Sequence, residues 1–243
     1  MFHNNKMQLQ KKASSNYDHI FFDLDHTLWD FEANSKTALQ ILFDNNLQNR
    51  DFTFDTFFSS YKEVNDFCWK QYRTGNMGKE ELRVKRFADT FLKFGFKDDK
   101  LSNQFADQYL EISPYQTQLM PGTISLLGSL KNKGYPLHII TNGFEEVQTI
   151  KIRECGLNPY FDEIIISEQL KHNKPHPSVF RFAIEKVKTT AETSLMIGDN
   201  LEVDILGAKG VGMDGVYFNP KNIDHHEEVK FEVKSLSEIE FIL

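Results

Sequence analysis

The chain has 243 residues, 40% of them hydrophobic and 13% aromatic, which is ample for a sizeable core and too apolar for a disordered polypeptide. A formal net charge of −7 argues against the basic footprint of a protein that binds nucleic-acid polymers, while a small anionic substrate stays possible where local charge is reversed. Cys68 and Cys155 stand far apart with no metal-ligand spacing, so neither a disulfide framework nor a structural zinc is expected. No apolar run reaches the roughly 18 residues of a membrane span. Residues 1–16 read as a polar tail without a signal-peptide core, and the expected setting is cytoplasmic with no membrane partner.

The first ordered stretch, from His19 to Trp29, is an apolar run that ends in two carboxylates, Asp23 and Asp25, followed by Thr27. This pattern predicts a buried strand whose polar end lies in the loop at its carboxyl edge, where open α/β sheets bind ligands. Residues 31–45 carry Ala38, Leu39, Ile41 and Leu42 at helical spacing. From 53 to 112 the pattern stays helical, with apolar groups at 54–64, 67–72, 82–94 and 101–112 and a break at 73–78, which predicts about four helices with no strand between them. Pro114 and the turn Met120-Pro121-Gly122 close this region, and Thr123 is placed to cap a helix ending near Gly134.

Beyond Gly134, predicted strands at 137–141, 163–167, 195–198 and 215–218 alternate with predicted helices at 147–155, 178–187 and 201–209. Such alternation implies a parallel sheet with crossover helices. The expected fold is α/β: a Rossmann-like core of about five parallel strands over residues 17–30 and 114–243, with an α-helical cap domain over 31–113 inserted after the first strand. Gly210-Val211-Gly212-Met213-Asp214-Gly215 spells a dinucleotide-binding fingerprint. It follows a helix and precedes a strand, the reverse of the required order, and reads as a helix cap and loop.

Four polar clusters fall just after predicted strands: Asp23/Asp25/Thr27, Thr141/Asn142/Gly143, Lys174-Pro175, and Gly198-Asp199-Asn200 with Asp204. Strand ends of one parallel sheet share an edge, so these residues are expected to converge. Grouping Asp23, Asp25 and Asp199 there is unfavourable unless a cation sits among them, and oxygen ligands of this kind suit Mg²⁺. A unit charge pair at about 4 Å and an effective dielectric near 20 is worth roughly 4 kcal/mol, so a divalent ion with Lys174 can make the pocket attractive to phosphate despite the acidic surface. The Thr141 hydroxyl and the backbone N–H groups of Asn142 and Gly143 supply neutral donors. Two carboxylates suit a two-step displacement in which Asp23 attacks phosphorus and Asp25, one step into the loop, handles protons. With an unperturbed pKa near 3.9, Asp25 needs an environment that raises it to act as an acid at neutral pH.

This ordered set of motifs resembles the haloacid dehalogenase superfamily over residues 17–243. The resemblance implies Asp23 as nucleophile and metal ligand, Asp25 as acid/base and a ligand through its backbone carbonyl, Thr141 and Lys174 on the phosphate, Asp199 as metal ligand and Asp204 in the outer sphere. It implies a C1-type helical cap as well. The stretch Phe22 to Phe31, with Thr141-Asn142-Gly143-Phe144 and Gln148, is similar to the pyrimidine 5′-nucleotidase subgroup. The expected activity is Mg²⁺-dependent hydrolysis of small phosphorylated metabolites, with pyrimidine nucleoside 5′-monophosphates as first choice. Thr27, Trp29 and Arg73 join Asn142 and Gly143 as candidate substrate contacts; Trp29 could stack on a base and the segment 73–78 could form a specificity loop. A sugar phosphomutase shares the core set and stays open as an alternative. A 2-haloacid dehalogenase leaves Asp25 and Asp199 without purpose, and a noncatalytic phosphometabolite-binding protein does not require all four clusters.

Overall fold

Residues 16–243 are described by a computed structural model; the expected polar tail lies, apart from residue 16, outside them. Six strands form one sheet: β1 (His19–Phe22), β2 (Leu137–Thr141), β3 (Glu163–Ile166), β4 (Ser194–Gly198), β5 (Asp214–Phe218) and β6 (Phe231–Val233). Their order is β3-β2-β1-β4-β5-β6 and every pair is parallel. In register, Phe22 stands beside Ile139 of β2 and Ile197 of β4. The loops after these strands therefore leave from a common edge. The central strands β2 and β4 are buried at every position, which is why they read as continuous apolar runs and show no alternation.

The crossover helices include α5 (Thr123–Asn132), α6 (Glu145–Glu154) and α7 (Pro177–Val187), numbered after the four helices of the insert. The expected helix at 201–209 forms with a π-wound first part, Leu201–Leu206, before an α turn at Gly207–Lys209. The glycine-rich stretch after it leads into β5, as its reversed context required. β6 escaped sequence reading because it is a three-residue edge strand, too short to establish a period.

Between β1 and α5 the insert contains α1 (Phe31–Asn46), α2 (Phe54–Arg73), α3 (Lys79–Lys93) and α4 (Asp99–Ile112). Residues 53–112 thus hold three helices and not four. The groups at 54–64 and 67–72 belong to one 20-residue helix, because buried Asn65 and Cys68 continue the apolar stripe and no glycine or proline interrupts it. Thr53 caps its start by accepting from the Thr56 N–H, and the chain turns at Gly75 with φ of +77°. The insert has its own core, in which Phe57 meets Phe43, Phe91 and Phe105. A smaller cluster of Val64, Cys68, Met77 and Leu82 packs against Phe144 at the start of α6, joining insert to sheet. No helix among the described residues is long and apolar enough to cross a membrane.

The fully buried Phe57 ring makes the insert sensitive to truncation. Phe57→Ala should cost roughly 3–5 kcal/mol of stability in that region, read as an earlier urea transition; a loss below about 1 kcal/mol would mean the aromatic cluster is not a packed core.

Candidate functional site

The loop after β1 is tightly wound. Leu28 and Trp29 both donate their N–H to the Leu24 carbonyl, and His26 donates to the Trp29 carbonyl. His26 sits in the left-handed region with φ of +66°, an uncommon conformation for a residue with a side chain. Its result is to set the Asp23 and Asp25 side chains in different surroundings.

Asp23 belongs to a buried charge cluster. The Lys174 ammonium, 1% exposed, donates at 2.7 Å to each of Asp23 Oδ1, Asp204 Oδ1 and the Ile140 carbonyl. All three ammonium protons are thereby used. The Lys174 backbone is fixed in turn by Asn142, whose side chain donates to the Lys174 carbonyl at 2.9 Å and accepts from its N–H at 2.8 Å. Asp199 is held by Thr27, which donates to its Oδ1 at 3.3 Å and accepts its N–H at 3.0 Å. Asp204 Oδ2 accepts the Asn200 N–H at 3.1 Å, and the Asn200 side chain caps the π-wound turn by accepting from Val203. Gly198 is required here, since a Cβ at that position would overlap the Asp204 carboxylate.

Carboxylate oxygens of Asp23, Asp199 and Asp204 come within 4.8 Å of one another and can hold a metal ion. The electrostatics fit a cation. Burial, opposed by Lys174 and reinforced by the Asp204 charge, lifts Asp23 to about 7. Burial and the charges of Asp23 and Asp204 hold Asp199 well above the usual carboxylate range. Lys174, despite its burial, is kept charged by Asp204 and Asp23. Three acids facing one ammonium leave negative charge uncompensated, and a hard divalent ion with oxygen ligands would balance it.

Asp25 points elsewhere. Its carboxylate accepts from Lys151 Nζ at 2.5 Å and from Gln148 Nε2 at 2.7 Å, both on α6. Burial favours its neutral form, but the Lys151 charge and these hydrogen bonds prevail and hold it below the ordinary value. Gln148 Nε2 also donates to Thr141 Oγ1 at 2.7 Å, and Thr141 accepts the Gly143 N–H at 3.2 Å. A Cβ on Gly143 would collide with the Gln148 side chain, so this glycine permits the close approach.

The structure thus brings together Asp23, Asp25, Thr27, Thr141, Asn142, Gly143, Lys174, Asp199 and Asp204. Two expectations need correction. Trp29 is fully buried, donating from its indole to the Gln116 carbonyl at 2.9 Å with Lys151 Nζ 3.9 Å from a ring centroid. It forms the floor under the Asp25 ion pair and offers no face to a substrate. The Thr27 hydroxyl is turned to Asp199 and braces that loop; it is not a substrate contact. The segment 73–78 is the turn between α2 and α3, and Arg73 at the end of α2 lies within electrostatic reach of Asp204, Glu202 and Asp199. Lys151 is not singled out by the sequence, although the spacing of Gln148 and Lys151 puts both on one helix face.

A cleft between insert and sheet is lined by Asp25, Gly143, Phe31, Trp69, Phe144 and Arg86, among others. Lys79 at the start of α3 is bonded to Glu146 at 2.9 Å and Glu168 at 2.6 Å, with its ammonium 4.7 Å from the centroid of the Phe144 ring that lines the cleft.

A family model described as haloacid dehalogenase-like hydrolase matches residues 17–212. The chain is 33% identical to the pyrimidine 5′-nucleotidase PynA of Streptococcus pneumoniae over 92% of its own length and 93% of that protein. It is 32% identical to the pyrimidine 5′-nucleotidase YjjG of Escherichia coli, over 93% and 98%. Among solved structures, the HAD-hydrolase YfnB of Bacillus subtilis, bound to magnesium, matches with a TM-score of 0.84 and 30% identity, covering 93% of this chain and 98% of that one.

Lys151→Met should strand Asp25 without its cation, at a cost toward the low end of the roughly 3–5 kcal/mol for breaking a buried pair, because Asp25 keeps some solvent contact. The sign with pH follows from the lowered Asp25 value. In the parent the pair contributes stability above about pH 4, lost as Asp25 takes a proton at lower pH. The parent and variant unfolding free energies should therefore converge below about pH 4; a gap independent of pH would contradict the ion pair.

Proposed function

From the premise that this chain belongs to the haloacid dehalogenase-like hydrolases and is a phosphoric monoester hydrolase, we propose that it is a Mg²⁺-dependent pyrimidine 5′-nucleotidase. The observation that carries the reading is the Asp23, Asp199 and Asp204 cluster around Lys174, with a second carboxylate, Asp25, kept outside it.

Asp23 attacks the substrate phosphorus, the ester oxygen leaves, and an aspartyl phosphate forms; water then attacks the same phosphorus, the bond to Asp23 breaks, and inorganic phosphate departs with the carboxylate regenerated. Asp25 gives a proton to the departing oxygen and takes one from the incoming water. The ion pair with Lys151 keeps Asp25 ionised in the free enzyme, so substrate must shift that balance before Asp25 can donate. Thr141 and the N–H of Gly143 receive phosphoryl oxygens once their mutual hydrogen bond opens. Lys174 holds Asp23 in place and offsets its charge. Mg²⁺ held by Asp23, Asp199 and the Asp25 backbone carbonyl, with Asp204 in the outer sphere, would supply charge neutralisation at the phosphoryl group. The helices of residues 31–113 act as a cap over the cleft, and a cytoplasmic setting suits the proposed substrate.

The pyrimidine preference rests on the likeness to the two nucleotidases, each matched over more than nine-tenths of its length. A sugar phosphomutase gains no support from any feature of the cleft. With Mg²⁺ present, uridine and thymidine 5′-monophosphates should release phosphate faster than purine nucleotides and hexose phosphates. Chelation should stop the reaction, and Asp23→Asn should lower kcat at least about 10³-fold while the melting curve stays cooperative. Conversion of a hexose 1-phosphate to its 6-phosphate without free phosphate, or retained turnover in Asp23→Asn, would sink the assignment.

A further inference from the structure

Arg86 is the buried cation that the proposed chemistry does not use. It lies on α3, 3% exposed, with its guanidinium carbon 4.6 Å from the Tyr109 ring centroid and 5.1 Å from that of Phe87. Its Nε is buried with no hydrogen-bond partner, and no carboxylate among the described residues pairs with it. The other cation of the same cleft, Lys151, is already matched by Asp25. A guanidinium donor kept from water without an acceptor is costly, and the group's planar fork of donors suits a planar acceptor edge.

The cleft supplies the rest of a recognition site. Arg86 shares it with Asp25 and Gly143, so a phosphate ester engaged at Asp23 and Gly143 would extend its leaving group past Asp25 toward α3. The walls on that course include Phe31, Trp69 and Phe144, with Trp69 and Phe144 stacked at 5.3 Å. Aromatic walls with one unpartnered guanidinium fit a flat heterocycle carrying carbonyl oxygens better than a sugar, whose hydroxyls would ask for acceptors as well as donors. Uracil, thymine and cytosine all carry a carbonyl oxygen beside the glycosidic nitrogen, whereas adenine presents a ring nitrogen set farther back in a second ring. We infer that Arg86 is a specificity-determining residue that donates to the carbonyl edge of a pyrimidine base seated between these aromatic walls. The inference rests on the nucleotidase reading and names the residue that would make it selective for pyrimidines.

The test compares uridine 5′-monophosphate, adenosine 5′-monophosphate and ribose 5-phosphate as substrates of the Mg²⁺-loaded parent, Arg86→Met and Arg86→Lys. Loss of a charge-assisted hydrogen bond should lower kcat/KM for uridine 5′-monophosphate about 10- to 100-fold in Arg86→Met, chiefly through KM. Ribose 5-phosphate, which has no base to reach α3, should keep its rate and so report that the variant is folded. The uridine-to-adenosine preference should collapse, and Arg86→Lys should restore part of it. Equal losses on all three substrates, or an unchanged uridine-to-adenosine ratio in a parent that prefers uridine, would make Arg86 a packing residue and overturn the inference alone. A parent that hydrolyses uridine 5′-monophosphate no better than ribose 5-phosphate would overturn the nucleotide reading, and the assignment of Arg86 with it.

Discussion

One ammonium group ties the site together. Lys174 reaches the end of the sheet from the loop before α7, and its three protons are spent on Asp23, Asp204 and the Ile140 carbonyl. A cation so deeply buried persists because its partners are themselves anchored: Asp23 follows β1, Asp204 lies in the turn after β4, and Ile140 belongs to β2. The three strands are thereby cross-linked where their carboxyl ends meet. Removing either acid would leave a buried charge poorly matched, whereas keeping all of them leaves the cluster one cation short of balance. The same arrangement that fixes the nucleophile candidate thus creates the demand for a metal.

The two carboxylates of the first loop illustrate how position within a turn separates function. They are two residues apart, yet Asp23 is raised by burial among acids while Asp25 is lowered by Lys151. The left-handed His26 and the paired N–H groups of Leu28 and Trp29 on one carbonyl wind the loop so that the acids face different neighbours. Neighbouring groups and not residue type set the two acids apart, and in the free site they do so in the sense opposite to the expected roles, since the expected proton donor is the one held ionised.

Much of the site is legible in the sequence because parallel strands deliver their outgoing loops to one edge. Asp23, Thr141, Lys174 and Asp199 span more than 170 positions, and each is marked by an apolar run ending in a polar burst. Helix faces are harder to read. Arg86 sits in the charged run Arg83-Val84-Lys85-Arg86, where nothing local tells the buried cation from the solvated ones; only the i, i+4 stripe of Leu82, Arg86 and Thr90 marks it. Lys151 is hidden similarly, because a lysine near the end of a helix reads as a solvated charge. Trp29 misleads for the converse reason: an aromatic beside a catalytic motif looks like a stacking surface until its indole is found bonded inside to Gln116. The two halves of α2 read as separate helices because polar Asn65 and Asp66 interrupt its apolar groups, though Asn65 is buried.

Trp29 has a further consequence through its backbone. It bridges to Asp25 on one side and to Leu119 on the other, so the outgoing and returning crossings between sheet and helices are stitched together at the loop that carries both acids. Asp25 is nevertheless tied to α6 through Lys151 and Gln148, as Asp23 is tied to β4 through its N–H and to Lys174 through its carboxylate, so both acids stay with the sheet side of this seam. A change in how the insert sits would then alter access to the cleft and leave both acids where the sheet holds them.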